Sequence, residues 1–342
     1  MPDSRPATIH QVAKKAGVAV SSVSRVLSNH PDVSAGMKIR VEAAANSLGY
    51  SPDPIAQSLR SGSTRLIGFV VRDFATPFFG DVIHGIEEVL TAAGYTLLVM
   101  NGGGEAGQEG ERISLIRKRR VDALLLSTVT DTAPATRKAV ASFKNPIVLI
   151  DRDMNKTTTS SVLFDHASGV QAATADLLQL GHKRIALITG NLDIRPTRER
   201  LKGFAAAFEA AGIERSNAME ITGVFSPSFA RAKTDELMSG PISRRPTALI
   251  AGGVQSTIGI LESLSELGLR PGEDLSLVVC DDLPWLRVLR PTISAVSRDA
   301  EEMGRVAAQM ALELLGGAAP STITLPTRYE SRDTSRPFRP RK

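Results

Sequence analysis

From Arg65 onward the chain repeats one pattern. A short apolar run is followed by an amphipathic stretch of helix length, several closing on a glycine, and then by another apolar run. The runs are LIGFVV (66–71), YTLLVM (95–100), ALLLS (123–127), PIVLI (146–150), SVLF (161–164), RIALIT (184–189), TALIA (247–251) and LSLVV (275–279). Most are continuous rather than alternating, as expected of parallel strands buried on both faces between layers of helices. Repeated βα units restrict the fold to doubly wound parallel sheets. The halves also rhyme. GYTLLVMNGGG leads through a helix to VDALLLS, and GHKRIALITGN leads through a helix and, later, to PTALIAGG. Eight strands split more easily into two sheets than fill one. The expected body is therefore two similar lobes with a cleft at the carboxyl ends of their strands, where ligands of such sheets bind.

The first 50 residues read differently, as three short helices. Thr8 is a good N-cap for a helix over Ile9–Ala16, and Gln11 completes a capping box. Gly17 ends that helix, and a second runs from Ser21 to Leu27. A third, over 34–50 and capped by Ser34, brings Val41, Ala44, Ala45 and Leu48 to a small core with Val12, Ala13, Ala16, Val18, Val23, Val26 and Leu27. This is the helix-turn-helix pattern, whose second helix enters the major groove of DNA. The outward face of that helix carries Val20, Ser21, Ser22, Ser24 and Arg25. Short hydroxyls can reach phosphates or base edges, and an arginine can take guanine O6 and N7 together. Residues 51–64, SPDPIAQSLRSGST, have the composition of a linker, with PIAQSLR able to form two helical turns.

Charge is distributed to match. Residues 1–65 hold eight Lys/Arg against four Asp/Glu, and 328–342 hold six against two, while the whole chain of 342 residues carries only +5. A basic front on a neutral-to-acidic body fits a nucleic-acid-binding head on a body that binds something else. The basic tail RPFRPRK reads as a solvated, frayed terminus. No apolar run is long enough for a membrane span and no secretory h-region opens the chain. The single cysteine, Cys280 in LSLVVCD, reads as a buried inert thiol. A cytoplasmic protein without membrane contact is expected.

The order of motifs is specific. VAKKAGV, VSRVL, LGYSP, AQSLRSG, IGFVV, VDALLLS, PIVLIDR, FDHASG, GHKRIALITG, RLKGF, PTALIAGG, LSLVVCDD and PTISAV occur in that sequence. Together they resemble the LacI/GalR family of bacterial transcriptional regulators, over nearly the whole chain. The resemblance implies a headpiece over 1–50, a hinge over 51–64, and an effector-binding and dimerisation body of the periplasmic-binding-protein type I fold over 65–342. Its N-lobe would be about 65–162 and 295–323, and its C-lobe about 163–294 and 324–340. It implies that Val20, Ser21 and Arg25 read bases. Ser22, Ser24 and the capping residues Thr8 and Ser34 join them in the DNA-binding set. Leu59 would wedge between base pairs from the minor groove, with the small Ala56 beside it.

In the body, the resemblance places Phe78, Phe79, Arg152, Arg200, Phe225 and Asp281 against a small-molecule effector. Trp285, just after CDD, either lines the pocket or packs under the lobe. Val254 departs from the family: many members carry an acid there that binds ligand hydroxyls. Unless Gln255 compensates, a hexose contact is missing. Arg195 and Arg198 either mark an anionic effector or are solvated loop charges. The implied protein is a cytoplasmic, nucleoid-associated homodimeric repressor. Its partners would be a near-palindromic double-stranded operator and a sugar, sugar phosphate or nucleoside-like effector, with no cofactor and no metal.

The competing reading is a cytoplasmic sugar- or nucleotide-processing enzyme with an appended DNA-binding head. GGGEAG (102–107) satisfies G-x-G-x-x-G between a strand and a helix, but the acid needed at the end of the next strand is absent, since Asp122 precedes ALLLS. The histidines His10, His30, His84, His166 and His182 sit in unrelated settings and no metal-ligand spacing occurs. The chain is therefore expected not to be an enzyme.

Overall fold

A computed structural model of the protein describes residues 7–27, 32–51, 62–154, 159–214 and 217–339. The chain divides into two compact units, Met1–Arg65 and Leu66–Lys342.

The first unit holds α1 (Ile9–Ala16), α2 (Val20–Leu27) and α3 (Ala35–Leu48). Its caps are those the sequence predicts. The Thr8 amide donates to Gln11 Oε1 at 2.8 Å while the Gln11 amide donates to Thr8 Oγ1 at 3.4 Å. Gly17 takes φ 66°, a left-handed conformation that turns the chain between α1 and α2. Ser34 Oγ accepts from the Met37 amide. Val12, Ala13, Ala16, Val23, Val26, Val41, Ala44 and Ala45 are buried together, with Leu48 packed at the edge. Residues 52–61, and with them Ala56 and Leu59 of the expected hinge, lie outside the described residues.

The second unit contains two six-stranded sheets. The first comprises β1 (Leu66–Val71), β2 (Thr96–Asn101), β3 (Ala123–Leu126), β4 (Ile147–Ile150), β5 (Ser160–Phe164) and β11 (Thr322–Leu325). The second comprises β6 (Ile185–Thr189), β7 (Ala218–Thr222), β8 (Ala248–Ala251), β9 (Ser276–Cys280), β10 (Ser294–Arg298) and β12 (Thr327–Glu330). Their orders are β11-β5-β4-β3-β1-β2 and β12-β10-β9-β8-β6-β7, equivalent strand by strand apart from the direction of the last edge strand. Every pairing is parallel except β12 with β10.

Helices α4 (Phe78–Ala92) and α11 (Ala300–Leu315) cover one face of the first sheet, burying Ile67, Phe69 and Val71. The other face packs Val70, Leu124 and Leu126 against α5 (Ala106–Lys118) and α6 (Pro134–Ala141). The second sheet is clad in the same way by α7 (His166–Gln179) with α8 (Arg195–Ala210), and by α9 (Pro227–Ser239) with α10 (Val254–Glu266).

All eight expected strands form, and four more join them. β7, β11 and β12 are half-exposed edge strands without a continuous apolar run, and β10 reads SAVSR. β5 ends at Phe164 and β10 at Arg298, so the chain crosses between lobes just after 164, 298 and 325. These points lie a few residues beyond the boundaries drawn from the sequence. The tail also differs from expectation. The Phe338 amide donates to the Leu180 carbonyl at 2.8 Å, and the Arg336 amide to Ser276 Oγ at 3.1 Å. Backbone hydrogen bonding to the second lobe, not charge, governs residues 336–338. No helix among the described residues is long and apolar enough to cross a membrane.

Candidate functional site

Two surfaces carry the candidate chemistry, one on each unit. On the first, Val23 and Val26 turn α2 inward, which leaves Ser21 and Arg25 exposed and Val20, Ser22 and Ser24 half-buried. Val20, Ser21, Ser24 and Arg25 share one side of the helix at spacings of one and four residues. Thr8 and Ser34 stand exposed at the N-termini of α1 and α3, where backbone amides favour anions such as phosphate.

On the second unit, a cavity of about 50 Å³ lies between the lobes, at the carboxyl ends of the parallel strands. Six residues expected from the sequence line it or sit at its wall: Phe78, Phe79, Arg152, Arg200, Phe225 and Asp281. Val254 lines it as well, while Gln255 and Trp285 do not. Trp285 sits 39% exposed in a short 3-10 turn over Pro284–Arg287, outside the lining. The structure adds Arg72, Thr76, Ser127, Asp151 and Arg298. Arg72, Ser127 and Asp151 each directly follow an apolar run, as Asp281 nearly does, so position alone could have found them. Arg298 ends a strand too polar to be recognised.

Arg298 is the centre of the site. Its Nη1 lies 3.1 Å from Asp151 Oδ2 and its Nε 2.5 Å from Asp281 Oδ1. Its guanidinium stacks on Phe78 at 3.9 Å and approaches Phe164 at 5.3 Å. Burial works against its charge, but the two carboxylates more than offset this and raise its pKa above that of a free guanidinium. Asp151 also accepts from His166 Nε2 at 2.8 Å. Burial pushes the Asp151 carboxyl up, yet His166 and Arg298 hold it well below the usual carboxylate range. Burial, opposed by Asp151 and aided by Arg200, takes His166 down to about 4, so the imidazole is neutral near pH 7.

Arg152 is buried and donates from Nε to the Thr128 carbonyl at 2.7 Å and from Nη1 to the Asp151 carbonyl at 2.8 Å. Arg200 is 4% exposed, and its Nε has no hydrogen-bond partner among the described residues. The hydroxyls of Thr189 and Thr197, at the neighbouring ends of β6 and α8, are likewise unpartnered. Such orphans in an interlobe cleft point to a ligand that completes them.

A second contact closes the lobes beside the cavity. Asp131 of the first lobe accepts from the Arg195 amide at 2.9 Å and lies 3.4 Å from Arg198 Nη2 and 3.6 Å from Arg152 Nε. Its own amide donates to the Asp193 carbonyl at 3.0 Å. The Arg195 side chain also reaches the first lobe, donating from Nη1 to the Phe164 carbonyl at 2.9 Å and lying 3.9 Å from Asp151, whereas Arg198 stays partly exposed beside Asp131.

Residues 8–53 match the family of bacterial regulatory proteins named lacI, and residues 174–335 match a periplasmic binding protein-like domain. The chain is 31% identical over 309 residues to the HTH-type transcriptional repressor PurR of Haemophilus influenzae (strain PittEE), covering 90% of each. The chain belongs to the lacI family. This regulator is also 29% identical over 327 residues to the ribose operon repressor of Escherichia coli (strain K12), covering 95% of this chain and 96% of that one. Its fold superposes on a lac repressor dimer bound to operator and the anti-inducer ONPF. The TM-score is 0.83 at 26% identity, over 97% of this chain and 100% of that one. The regulator is a DNA-binding transcription factor whose helix-turn-helix headpiece is joined to a two-lobed effector-binding body.

Proposed function

We propose that the regulator is a homodimeric repressor that releases or engages its operator according to what occupies the cleft. It is a binding protein and not an enzyme. The observation that carries this reading is Arg200: a buried guanidinium with an unpartnered Nε, aimed into a cleft between two hinged lobes. Each headpiece lays α2 in the major groove of one half of a near-palindromic operator. Arg25 reads guanine, Ser21 donates or accepts at a base edge, and Val20 touches a thymine methyl. Thr8, Ser22, Ser24 and Ser34 meet phosphates and fix the register. Leu59, with Ala56 beside it, kinks the centre of the operator. A polar molecule of sugar, sugar phosphate or nucleoside size contacts Phe78, Phe79, Arg152, Arg200, Phe225 and Asp281. It shifts the operator equilibrium only through its different affinity for the open and closed lobes.

The test has two arms. In gel shifts, Arg25→Ala should lose about 1–3 kcal/mol of operator discrimination while the body keeps its melting temperature. Unchanged operator affinity would remove α2 as the reader. A thermal-shift panel of sugars, sugar phosphates and nucleosides should give a ligand that raises Tm by mass action and also changes operator affinity.

A further inference from the structure

We propose that the cleft takes an anion: a small polar molecule bearing a carboxylate or phosphate group, in preference to a neutral sugar or nucleoside. This deepens the reading of the cleft as the effector site and rests on it.

The lining charges do not balance. Four arginines, Arg72, Arg152, Arg200 and Arg298, face two carboxylates, Asp151 and Asp281. Arg298 holds both of those carboxylates itself. Among the described residues, Arg152 has only Asp131 within ion-pair distance, at 3.6 Å, and shares it with Arg198. Arg72 and Arg200 have no carboxylate within 4.0 Å among the described residues; Arg72 donates only to Thr76 Oγ1 at 3.1 Å. His166 is neutral near pH 7 and adds no charge, and burial with Arg152 nearby pushes Arg72 down to about 10. A guanidinium removed from water without a counter-charge is costly, and a matched acceptor relieves that cost. Carboxylate and phosphate oxygens match the two-pronged donor geometry of arginine.

The features that would favour a neutral ring are taken or missing. A sugar is held by an aromatic face and by carboxylates that receive its hydroxyls. Here the Phe78 ring lies under Arg298 at 3.9 Å, and the Phe225 ring faces Arg72 at 5.2 Å. Val254, 4% exposed in the lining, supplies no carboxylate. The expected aromatic platforms therefore present guanidinium to the ligand.

The experiment uses the full-length protein and follows Tm at constant ionic strength. Two matched pairs are compared at low ligand concentration: ribose against ribose 5-phosphate, and glucose against glucuronate. The charged members should raise Tm, with neutral members at least about tenfold weaker. Arg200→Met and Arg72→Met should each abolish the anion-dependent rise. Should Arg200→Met fail to fold, Arg72→Met, at a partly exposed position, carries the comparison. A neutral sugar that protects as well as its charged partner overturns the proposal. So does an anion effect that persists in both variants, since it then arises elsewhere, for instance on the headpiece, and so does a blank with all the anions. Operator gel shifts separate the two readings. Anions that need Arg72 and Arg200 yet leave operator affinity unchanged uphold the anion site and refute effector control. A neutral sugar that changes operator affinity while no anion binds does the reverse.

Discussion

Asp151 and Asp281 occupy the same place in the two lobes. Each is the first residue past its strand, β4 or β9, and these strands are equivalent in the two sheets. Each takes a left-handed backbone, φ 53° and 84°, and each donates its amide to the next strand, at Val162 and Val296. Both bind the guanidinium of Arg298. Non-glycine residues in this conformation carry strain that their surroundings must hold in place, and such strain gathers at functional sites. Here two strained carboxylates from opposite lobes meet on one residue at a crossing between them, so the charge at 298 couples the lobes.

Removing that charge should be costly. Arg298→Met takes the nearest cation from two buried carboxylates, leaving Asp151 only His166 and the more distant Arg195 at 3.9 Å. Breaking a buried ion pair by deleting one partner costs about 3–5 kcal/mol. The loss should be largest near pH 7 and shrink toward acid, because the stranded carboxyls then protonate in the folded state. Urea melts of both proteins across pH would show this convergence; parallel curves would mean that Arg298 acts through its packing on Phe78 alone.

The neutral His166 gives a second pH dependence. Its folded-state pKa of about 4 lies below the ordinary histidine value, so the unfolded chain takes up a proton that the folded chain refuses. Stability from this group is present above the unfolded pKa and is lost as pH falls toward 4. With an unfolded pKa near 6.5, the span corresponds to about 3 kcal/mol. His166→Gln keeps an N–H donor for Asp151 but cannot titrate. Its Tm should fall less steeply than wild type between about pH 6.5 and 4.5. Equal slopes would place the acid sensitivity on other groups.

Much of this architecture was written in the sequence. β1, β3, β4, β6, β8 and β9 are apolar throughout or nearly so because both faces are covered, and that is why they could be read. β7, β11 and β12 could not, since edge strands keep polar residues. In the site, residues directly past apolar runs were legible by position, and Arg200 by its motif. Arg298 was not, because SAVSR spends its polar residues on contacts that exist only once both lobes are folded. Nor could the sequence show that Phe78 and Phe225 would be faced by arginines instead of left open to stack on a ligand. The tail misled for the opposite reason: its charge suggested solvation, whereas backbone groups dock it.

That docking gives a third prediction. His182 donates from Nε2 to the Arg336 carbonyl and pairs through Nδ1 with Thr247 Oγ1, both at 2.9 Å, and its ring lies tilted against Phe338 at 5.8 Å. Ending the chain after Ser335 strips Arg336 and Phe338 from the buried imidazole, and the Arg336 amide from Ser276. An orphaned buried polar group costs about 1–3 kcal/mol. The truncated protein should melt lower in calorimetry while binding operator normally. An unchanged Tm would restore the frayed-tail reading.

The fourth prediction sets two glycines of one helix against each other. In α4, Gly85 faces α11 so closely that a Cβ would stand 2.0 Å from the Glu301 carbonyl oxygen. Gly304 returns the contact, 2.1 Å from the Val82 carbonyl. The helices meet backbone to backbone, and no side-chain adjustment can make room. Gly80, earlier in α4, is exposed, and a Cβ added there would meet nothing within 4 Å. Alanine is intrinsically better in a helix than glycine by about 1 kcal/mol. At Gly80 that gain is realised, and Gly80→Ala should raise Tm. At Gly85 forcing the helices apart costs more than it returns, about 1–3 kcal/mol for overpacking, so Gly85→Ala should lower Tm and loosen the α4–α11 face of the first lobe. Hydrogen exchange at Ile86 and Leu90 would report the loosening. Two shifts of the same sign would mean that helix propensity, and not the close approach of α4 and α11, decides what glycine does here.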